Sequence, residues 1–408
     1  MRLAATVQTG HTLSLLEGAK DWFPALIREL DKAQAQVQIE TYILDVTGAG
    51  ETVVQALERT ALRGVRVWLL LDGAGTGELP TQWRERLDRA GVVWRVFAPF
   101  GTWGWFVPSR WRRLHRKLCV VDNRVAFCGG INILDDWHDP NHGVLERPRL
   151  DFSVQLQGPV VQDIHEAMNQ LWWRTEAATQ VRRRDVPEAL SALSATRWLG
   201  WLNRDPGPRV SLSGAKAGLL LRDNLSHRGD IERAYLKAIA SARHEIVIAN
   251  AYFLPGRRLR RALTLAASRG VRVRLLLQGR YEYFMQYHAA RAVYASLLAA
   301  GIEIHEYQRS FLHAKVAVID PHHGRPWATV GSSNLDPLSL LLAREANVQV
   351  LDAPFAQQLH QRLCQAMRDD GQAVSVEQFA QRGRGERLRE WAALALMRLA
   401  LWLTGRRY

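Results

Sequence analysis

Two histidines and two lysines carry the chemistry in this chain, and they occur as one pattern written twice. Leu114-His115-Arg116-Lys117-Leu118-Cys119-Val120-Val121-Asp122 and Leu312-His313-Ala314-Lys315-Val316-Ala317-Val318-Ile319-Asp320 both read H-x-K-x4-D, 198 residues apart. An extended strand alternates its faces with a period of two, so the pattern places His115 with Lys117, and His313 with Lys315, on a common side. Each copy is followed by a small-residue turn ending in asparagine, Gly129-Gly130-Ile131-Asn132 and Gly331-Ser332-Ser333-Asn334. Glycine lets backbone approach a ligand closely, and an amide or hydroxyl can donate to an anionic oxygen. The two copies therefore point to one phosphate site built from two halves. A neutral imidazole can attack phosphorus while a protonated one gives its proton to the departing alkoxide, and an ordinary imidazole pKa of about 6.5 makes both states accessible. Lys117 and Lys315 are expected as permanent cations, with Asn132, Asn334 and Ser332 as donors to the substrate. Asp122 and Asp320 close the motifs at odd spacing from their histidines and cannot share the catalytic face of a regular strand. They are expected to be structural or to balance charge. This chemistry needs no metal and no cofactor.

The elements that position these residues are also repeated. Residues 21–36 read as an amphipathic helix, followed by a strand at 37–44, a helix at 51–63, the stop signal Gly64 and an apolar strand at 65–71. The same phrase returns as a helix at 231–242, a strand at 245–254, a helix ending at Gly270 and a strand at 271–277. Tyr42 pairs with Tyr252 at an offset of 210, and Gly64 with Gly270 at 206. This order predicts an α/β fold of two duplicated lobes related by a pseudo-twofold axis, each a mostly parallel or mixed sheet flanked by helices. The expected divisions are a first lobe over 1–177, a linker over 178–214, a second lobe over 215–380 and a basic, apolar tail over 381–408.

The paired motifs resemble the signature of the phospholipase D superfamily. The second copy and its tail, Gly331-Ser332-Ser333-Asn334-Leu335-Asp336-Pro337-Leu338-Ser339-Leu340 and Arg344-Glu345-Ala346-Asn347-Val348, are similar more narrowly to bacterial cardiolipin synthases of the short, B-type form, over about residues 10 to 375. That resemblance implies phosphatidyl transfer from one phosphatidylglycerol to another through a phosphatidyl-histidine, with release of glycerol. It implies that Glu345, and Asp151 which aligns with it, orient catalytic histidines, and that His115 is the nucleophile with His313 as acid and then base. Gly130 stands where the second copy has Ser332, an asymmetry that the family shares. Alternatives within the superfamily are a lipid hydrolase or a nuclease using the same histidines. A binder that has lost activity is disfavoured by the intact His-Lys pairs.

Composition bounds the partner. Lys and Arg total 54 against 40 Asp and Glu, a net charge of +14 with a pI near 10.2. Such a balance calls for an anionic partner, either phospholipid at a membrane surface or nucleic acid. Two stretches favour lipid. Trp103-Gly104-Trp105-Phe106-Val107-Pro108 with Arg110 to Arg113 precedes the first motif, where it suits a headgroup region, stacking on single-stranded nucleic acid, or packing on its own lobe. Trp391 to Leu403 holds Arg398 as its single charge and is flanked by arginines. This fits either a helix lying in the bilayer interface or one docked on the protein. Within the linker, Trp198-Leu199-Gly200-Trp201-Leu202 is apolar enough to pack on a lobe or touch lipid. The first fourteen residues lack the apolar core of a signal peptide, and no stretch reaches the length of a membrane span. The expected location is peripheral, on a bacterial inner membrane approached from the cytoplasm, with phosphatidylglycerol as partner and nucleic acid disfavoured. Three cysteines (Cys119, Cys128, Cys364) without metal-ligand spacing read as reduced, packed thiols.

Overall fold

Gly64 and Gly270 each end a helix in the left-handed conformation, with φ of 88° and 85°, and the chain passes directly into a buried strand. The computed structural model describes residues 6–99, 112–139, 142–182, 214–223, 227–281, 284–336 and 343–403. Residues 103–111 of the aromatic-basic stretch, and residues 183–213 of the expected linker with the Trp198–Leu202 segment, lie outside the described residues, while 178–182 belong to a helix. The first half runs β1 (Gln8–Glu17), α1 (Gly18–Lys32), β2 (Gln36–Thr41), α2 (Gly48–Leu62), β3 (Arg66–Asp72), α3 (Thr81–Ala90), β4 (Val93–Phe97) and β5 (Arg113–Leu114). It continues with β6 (Leu118–Val121), β7 (Val125–Gly129), the short pair β8 (His138–Asp139) and β9 (Gly143–Val144), β10 (Phe152–Gln157) and α4 (Val160–Arg182).

The second half repeats this plan with β11 (Ala215–Arg222), α5 (Asp230–Ser241), β12 (Glu245–Asn250), α6 (Arg257–Ser268), β13 (Arg272–Gln278), α7 (Phe284–Arg291) and α8 (Tyr294–Leu298). Then come β14 (Glu303–Tyr307), β15 (Lys315–Ile319), β16 (Trp327–Gly331), β17 (Ala343–Leu351) and α9 (Ala353–Asp369). It ends with β18 (Gly371–Ala373), α10 (Val376–Ala380) and α11 (Arg384–Leu403).

Among the described residues one mixed sheet runs β18-β14-β13-β12-β15-β16-β17-β11-β1-β10-β7-β6-β2-β3-β4. From the antiparallel β11–β1 pair outward the order is the same in both directions, with β17, β16, β15, β12, β13 and β14 matching β10, β7, β6, β2, β3 and β4. That is the order of a pseudo-twofold axis. The β2-β3-β4 and β12-β13-β14 units pair in parallel, and the motif strands β6 and β15 pair antiparallel to β2 and β12. Helices α1 to α3 cover one core around Phe23, Leu26, Val53 and Leu87. In the other half, Tyr235, Leu259, Leu263 and Leu297 line the equivalent core. Between them α4 and α9, through Ile164, Met168, Leu359 and Leu363, share a third core with strands from both halves. The two motifs thus sit on strands backed by common packing.

The register corrects one sequence pairing. Val37 lies opposite Val121 and Ile246 opposite Ile319, which relates the two halves by 209 residues along β2 and β12. The Ile43 N–H donates to Asn132 Oδ1 at 3.2 Å, as the Tyr252 N–H does to Asn334 Oδ1 at 3.4 Å. Tyr252 is therefore the counterpart of Ile43, and Tyr42 the counterpart of Ala251.

The C-terminal helix α11 docks on the second half along one side and leaves an apolar face exposed on the other. Ala393 and Met397 are buried in the core of the second half, and Glu390 is paired with Arg382 and Arg291. Leu388, Trp391, Leu396 and Leu399, on the opposite side, are each more than half exposed. Arg387, Arg389 and Arg398 are exposed along the edges of that apolar face. Among the described residues no helix is long and apolar enough to cross a membrane.

Candidate active site

Each motif is held in place by the opposite half. β5 pairs in parallel with the start of β17, Arg113 against Ala343 and Leu114 against Arg344, and the His115 N–H donates to Arg344 O at 3.0 Å. Leu150 bridges Leu312 in the same sense, and the His313 N–H donates to Leu150 O at 2.9 Å. The residue before each histidine is fixed by a side chain at the end of its own parallel unit. Asp72 Oδ2 accepts from the Leu114 N–H at 2.7 Å, and Gln278 Oε1 from the Leu312 N–H at 3.0 Å.

These crossings place a carboxylate behind each imidazole. His115 Nδ1 lies 3.0 Å from both oxygens of Glu345 and 3.1 Å from Ser332 O. His313 Nδ1 lies 2.6 Å from Asp151 Oδ2. Surrounded by acceptors, each Nδ1 carries its proton, so Nε2 is left as the reactive nitrogen. Period-two alternation holds at the first motif: Lys117 Nζ donates to His115 O at 2.9 Å, while Arg116 turns to the other face and grips Glu40 in a buried pair at 2.8 and 2.9 Å. Lys315 Nζ donates to His313 O. Asn132 and Asn334 are held by their amide oxygens, so the NH2 end of each is the one able to donate to a phosphoryl oxygen.

Two expectations need correction, those for Ser332 and for Lys117. Ser332, read as a substrate donor, is fully buried and donates its hydroxyl to Glu345 Oε2 at 2.6 Å, so it supports the carboxylate. The Gly130 position explains the asymmetry: a Cβ there would lie 2.3 Å from Asp151 Oδ1, because the shorter aspartate brings its carboxyl close to the backbone. Asp122 and Asp320, part of the motifs but expected to be structural or charge-balancing, are at the far ends of their strands. Asp122 accepts from the N–H groups of Gln34, Ala35 and Gln36, each at 2.9 Å, and Asp320 from those of Arg243, His244 and Glu245, each at 2.8 Å. They tie each motif strand to the start of its neighbour. Finally, Lys117 is not a permanent cation, since burial pushes its pKa down to about 7 despite Glu345.

The remaining electrostatics follow from the same burial. Desolvation lowers His115 against the pull of Glu345, and lowers His313 well below the usual imidazole value, with Lys315, Lys117, His115 and Arg149 adding to the effect. His313 thus feels His115 and both lysines, so the four groups form one electrostatic unit. Desolvation raises Asp151 to about 7, opposed by Lys315 and the Phe152 N–H. Burial therefore favours neutral imidazoles. A phosphodiester anion bound beside these groups would raise the pKa values of Lys117 and the imidazoles. Among the described residues no group of three or more His, Cys, Asp or Glu side chains could hold a metal ion.

Sequence reasoning used Tyr42 only as a repeat marker and passed over Asp72 and Gln278. The Tyr42 ring lies 5.0 Å from that of His115 and 5.3 Å from Lys117 Nζ. The position of Asp72 and Gln278 at the ends of matching strands, 206 residues apart, was the available signal.

A family model described as "Cardiolipin synthase, PLD-like domain" matches residues 26–172 and 235–367. The chain is 38% identical over 374 residues to cardiolipin synthase B of Escherichia coli K12, covering 91% of this chain and 84% of that protein. It is 39% identical over 355 residues to cardiolipin synthase B of Salmonella typhi, covering 87% and 80%. Among solved structures, phosphatidylserine synthase of Haemophilus influenzae Rd KW20 shares the fold with a TM-score of 0.68 at 11% identity, covering 97% of this chain and 96% of that one.

Proposed function

Because the chain belongs to the cardiolipin synthase family of PLD-like proteins, we propose that it joins two phosphatidylglycerol molecules into cardiolipin, with release of glycerol. The observation that carries this reading is the pair of crossed carboxylate–histidine contacts, Glu345 to His115 and Asp151 to His313, which sets two imidazoles and two lysines around one site. His115 Nε2 attacks the phosphorus of the first lipid, and the bond from phosphorus to the glycerol headgroup breaks. The departing oxygen takes a proton from His313. Glu345, buried and with both carboxylate oxygens 3.0 Å from His115 Nδ1, offsets the positive charge that His115 gains on phosphorylation. In the second step neutral His313 removes the proton from a terminal hydroxyl of the second lipid, whose oxygen attacks phosphorus and frees His115. One phosphodiester replaces another, so no nucleotide is consumed.

Phosphoryl charge in both steps is met by Lys117, Lys315 and the NH2 groups of Asn132 and Asn334. Access to the lipid is provided by the apolar face of α11, with Trp391 and three leucines exposed and arginines at its edges, lying on an anionic bilayer as a peripheral contact. Incubation of the purified protein with labelled phosphatidylglycerol vesicles, followed by mass spectrometry of the lipids, tests the reading. Cardiolipin and free glycerol in equal amounts are expected. Phosphatidic acid as the main product, or cleavage of a single-stranded oligonucleotide with the lipid untouched, would overturn it.

A further inference from the structure

The two half-sites are not equivalent, and one difference between them is an aromatic ring. Tyr42 stands against His115, its ring 5.0 Å away and inclined at 64°, with Lys117 Nζ 5.3 Å from the ring centre. At the matching place beside His313 the chain has Ala251, as the register and the paired asparagine contacts establish. The ring is fixed by a turn made for it. Thr76 Oγ1 donates to Tyr42 O at 3.0 Å, and a Cβ on Gly75 would lie 2.4 Å from that carbonyl and 2.8 Å from the ring carbons. Asp72 holds the turn through the N–H groups of Ala74 and Gly75 at 2.8 and 3.1 Å, and the same carboxylate holds Leu114. One acid therefore registers the ring and the histidine strand against each other.

We propose that Tyr42 is a positioning residue that marks the His115 half-site as the one carrying the transferred phosphatidyl group, by packing against its imidazole and its lysine. This rests on the transfer reading above and adds to it the choice between two nearly symmetric nucleophiles. When the Nε2–phosphorus bond forms and the bond to the leaving alcohol breaks, the charges on the phosphoryl oxygens and on the substituted imidazole appear beside Lys117 and the ring. Lys117 is faced by Glu345, Asp151 and Asp72, which favour its charge, and by Lys315 and burial, which oppose it. An aromatic face near the ammonium supports the charged form without adding a group that could be protonated. His313 has no such ring at the equivalent position.

The test compares the wild-type protein, Tyr42→Phe and Tyr42→Leu, each mixed with phosphatidylglycerol labelled in its acyl chains, quenched in the steady state and digested for peptide mapping. In the wild type and Tyr42→Phe the lipid label is expected on the His115 peptide. Tyr42→Leu is expected to spread label onto His313 and to move the alkaline limb of kcat/KM down by about one pH unit, with roughly tenfold lower kcat/KM above it. If Tyr42→Leu unfolds early in a thermal scan, Gly75→Ala, which displaces the ring, replaces it. Label confined to His115 with an unchanged pH profile in the ring-displaced variants, or label on His313 in the wild type, refutes the proposal. A wild-type protein that turns over lipid without labelling either histidine removes the transfer mechanism itself, a distinct outcome that takes the proposal with it.

Discussion

His115 Nδ1 lies 3.0 Å from both carboxylate oxygens of Glu345, a residue 230 positions further along the chain and in the opposite half of the molecule. The mirrored contact, His313 to Asp151 at 2.6 Å, spans 162 positions the other way. Neither histidine is oriented by its own half, so neither half contains a complete acid–base unit. The fusion of the two halves, through the β1–β11 pair and the shared core under α4 and α9, is what completes the site.

It follows that neutralising either carboxylate should cost turnover. Glu345→Gln and Asp151→Asn each keep the side-chain length but present an amide to the imidazole, which weakens control of the tautomer. A fall in kcat of about 10²- to 10⁴-fold is expected for each, with His115→Ala and His313→Ala losing transfer altogether. Kinetics on protein whose unfolding temperature matches the wild type would detect this. Near-normal turnover in Glu345→Gln would mean that the crossing contacts do not orient the imidazole.

The small residue at 130 should matter for stability. In Gly130→Ser the new Cβ falls 2.3 Å from Asp151 Oδ1, so the buried carboxylate must shift away from its contacts with His313 Nδ1 and the Phe152 N–H. A loss of about 1–3 kcal/mol in urea unfolding is expected. Gly130→Ser combined with Asp151→Glu, which copies the serine–glutamate pair of the other half, should be less destabilised than Gly130→Ser alone.

These features differ in how legible they are in a one-dimensional string. His115 with Lys117, the Gly64 and Gly270 stops, and the duplicated helix–strand phrases obey local periodicities and are read directly. Which carboxylate serves which histidine is not local. It depends on β5 pairing with β17 and on Leu150 bridging Leu312, both long-range registers that residue spacing does not encode. The match of Tyr42 with Tyr252 failed by one residue for a related reason: identical residue types suggested an alignment, but hydrogen bonding to Asn132 and Asn334 sets the true one. The charge of Lys117 was misjudged because burial, not residue type, decides it.

That burial makes a pH dependence. Lys117, lowered to about 7, is cationic below that pH and neutral above it, and an anionic phosphodiester binds the cationic form. The kcat/KM of the free enzyme should therefore decline by up to about tenfold per pH unit above neutrality. Bound phosphate raises the pKa of the same ammonium, so the matching limb in kcat should lie at higher pH. Vesicle assays across pH 6 to about 9, analysed separately for kcat and kcat/KM, distinguish this from a simple loss of folding, which would move both limbs together.

The aspartates at the ends of the motifs should behave as structural residues despite belonging to them. Asp320→Ala leaves three strand-end N–H groups without their acceptor, and Asp122→Ala does the same in the other half. A stability loss of about 1–3 kcal/mol each is expected, while the surviving folded protein keeps a kcat within about threefold of wild type. A kcat loss as large as that of a histidine variant, in protein shown to be folded, would return these residues to the chemistry.

The proposed membrane contact should be separable from catalysis, because α11 buries one face in the second half and exposes the other. Truncation at residue 384 would strip Ala393 and Met397 from the core of the second half and confuse the two. Leu388→Ser with Trp391→Ser changes the exposed side alone. Together the two side chains contribute enough apolar surface for a loss of tenfold or more in partitioning, even if only about half of each enters the interface. Flotation with phosphatidylglycerol vesicles should show that loss, while turnover of a detergent-dispersed short-chain lipid stays near the wild-type value. Partitioning unchanged in the double variant would place the bilayer contact elsewhere on the surface.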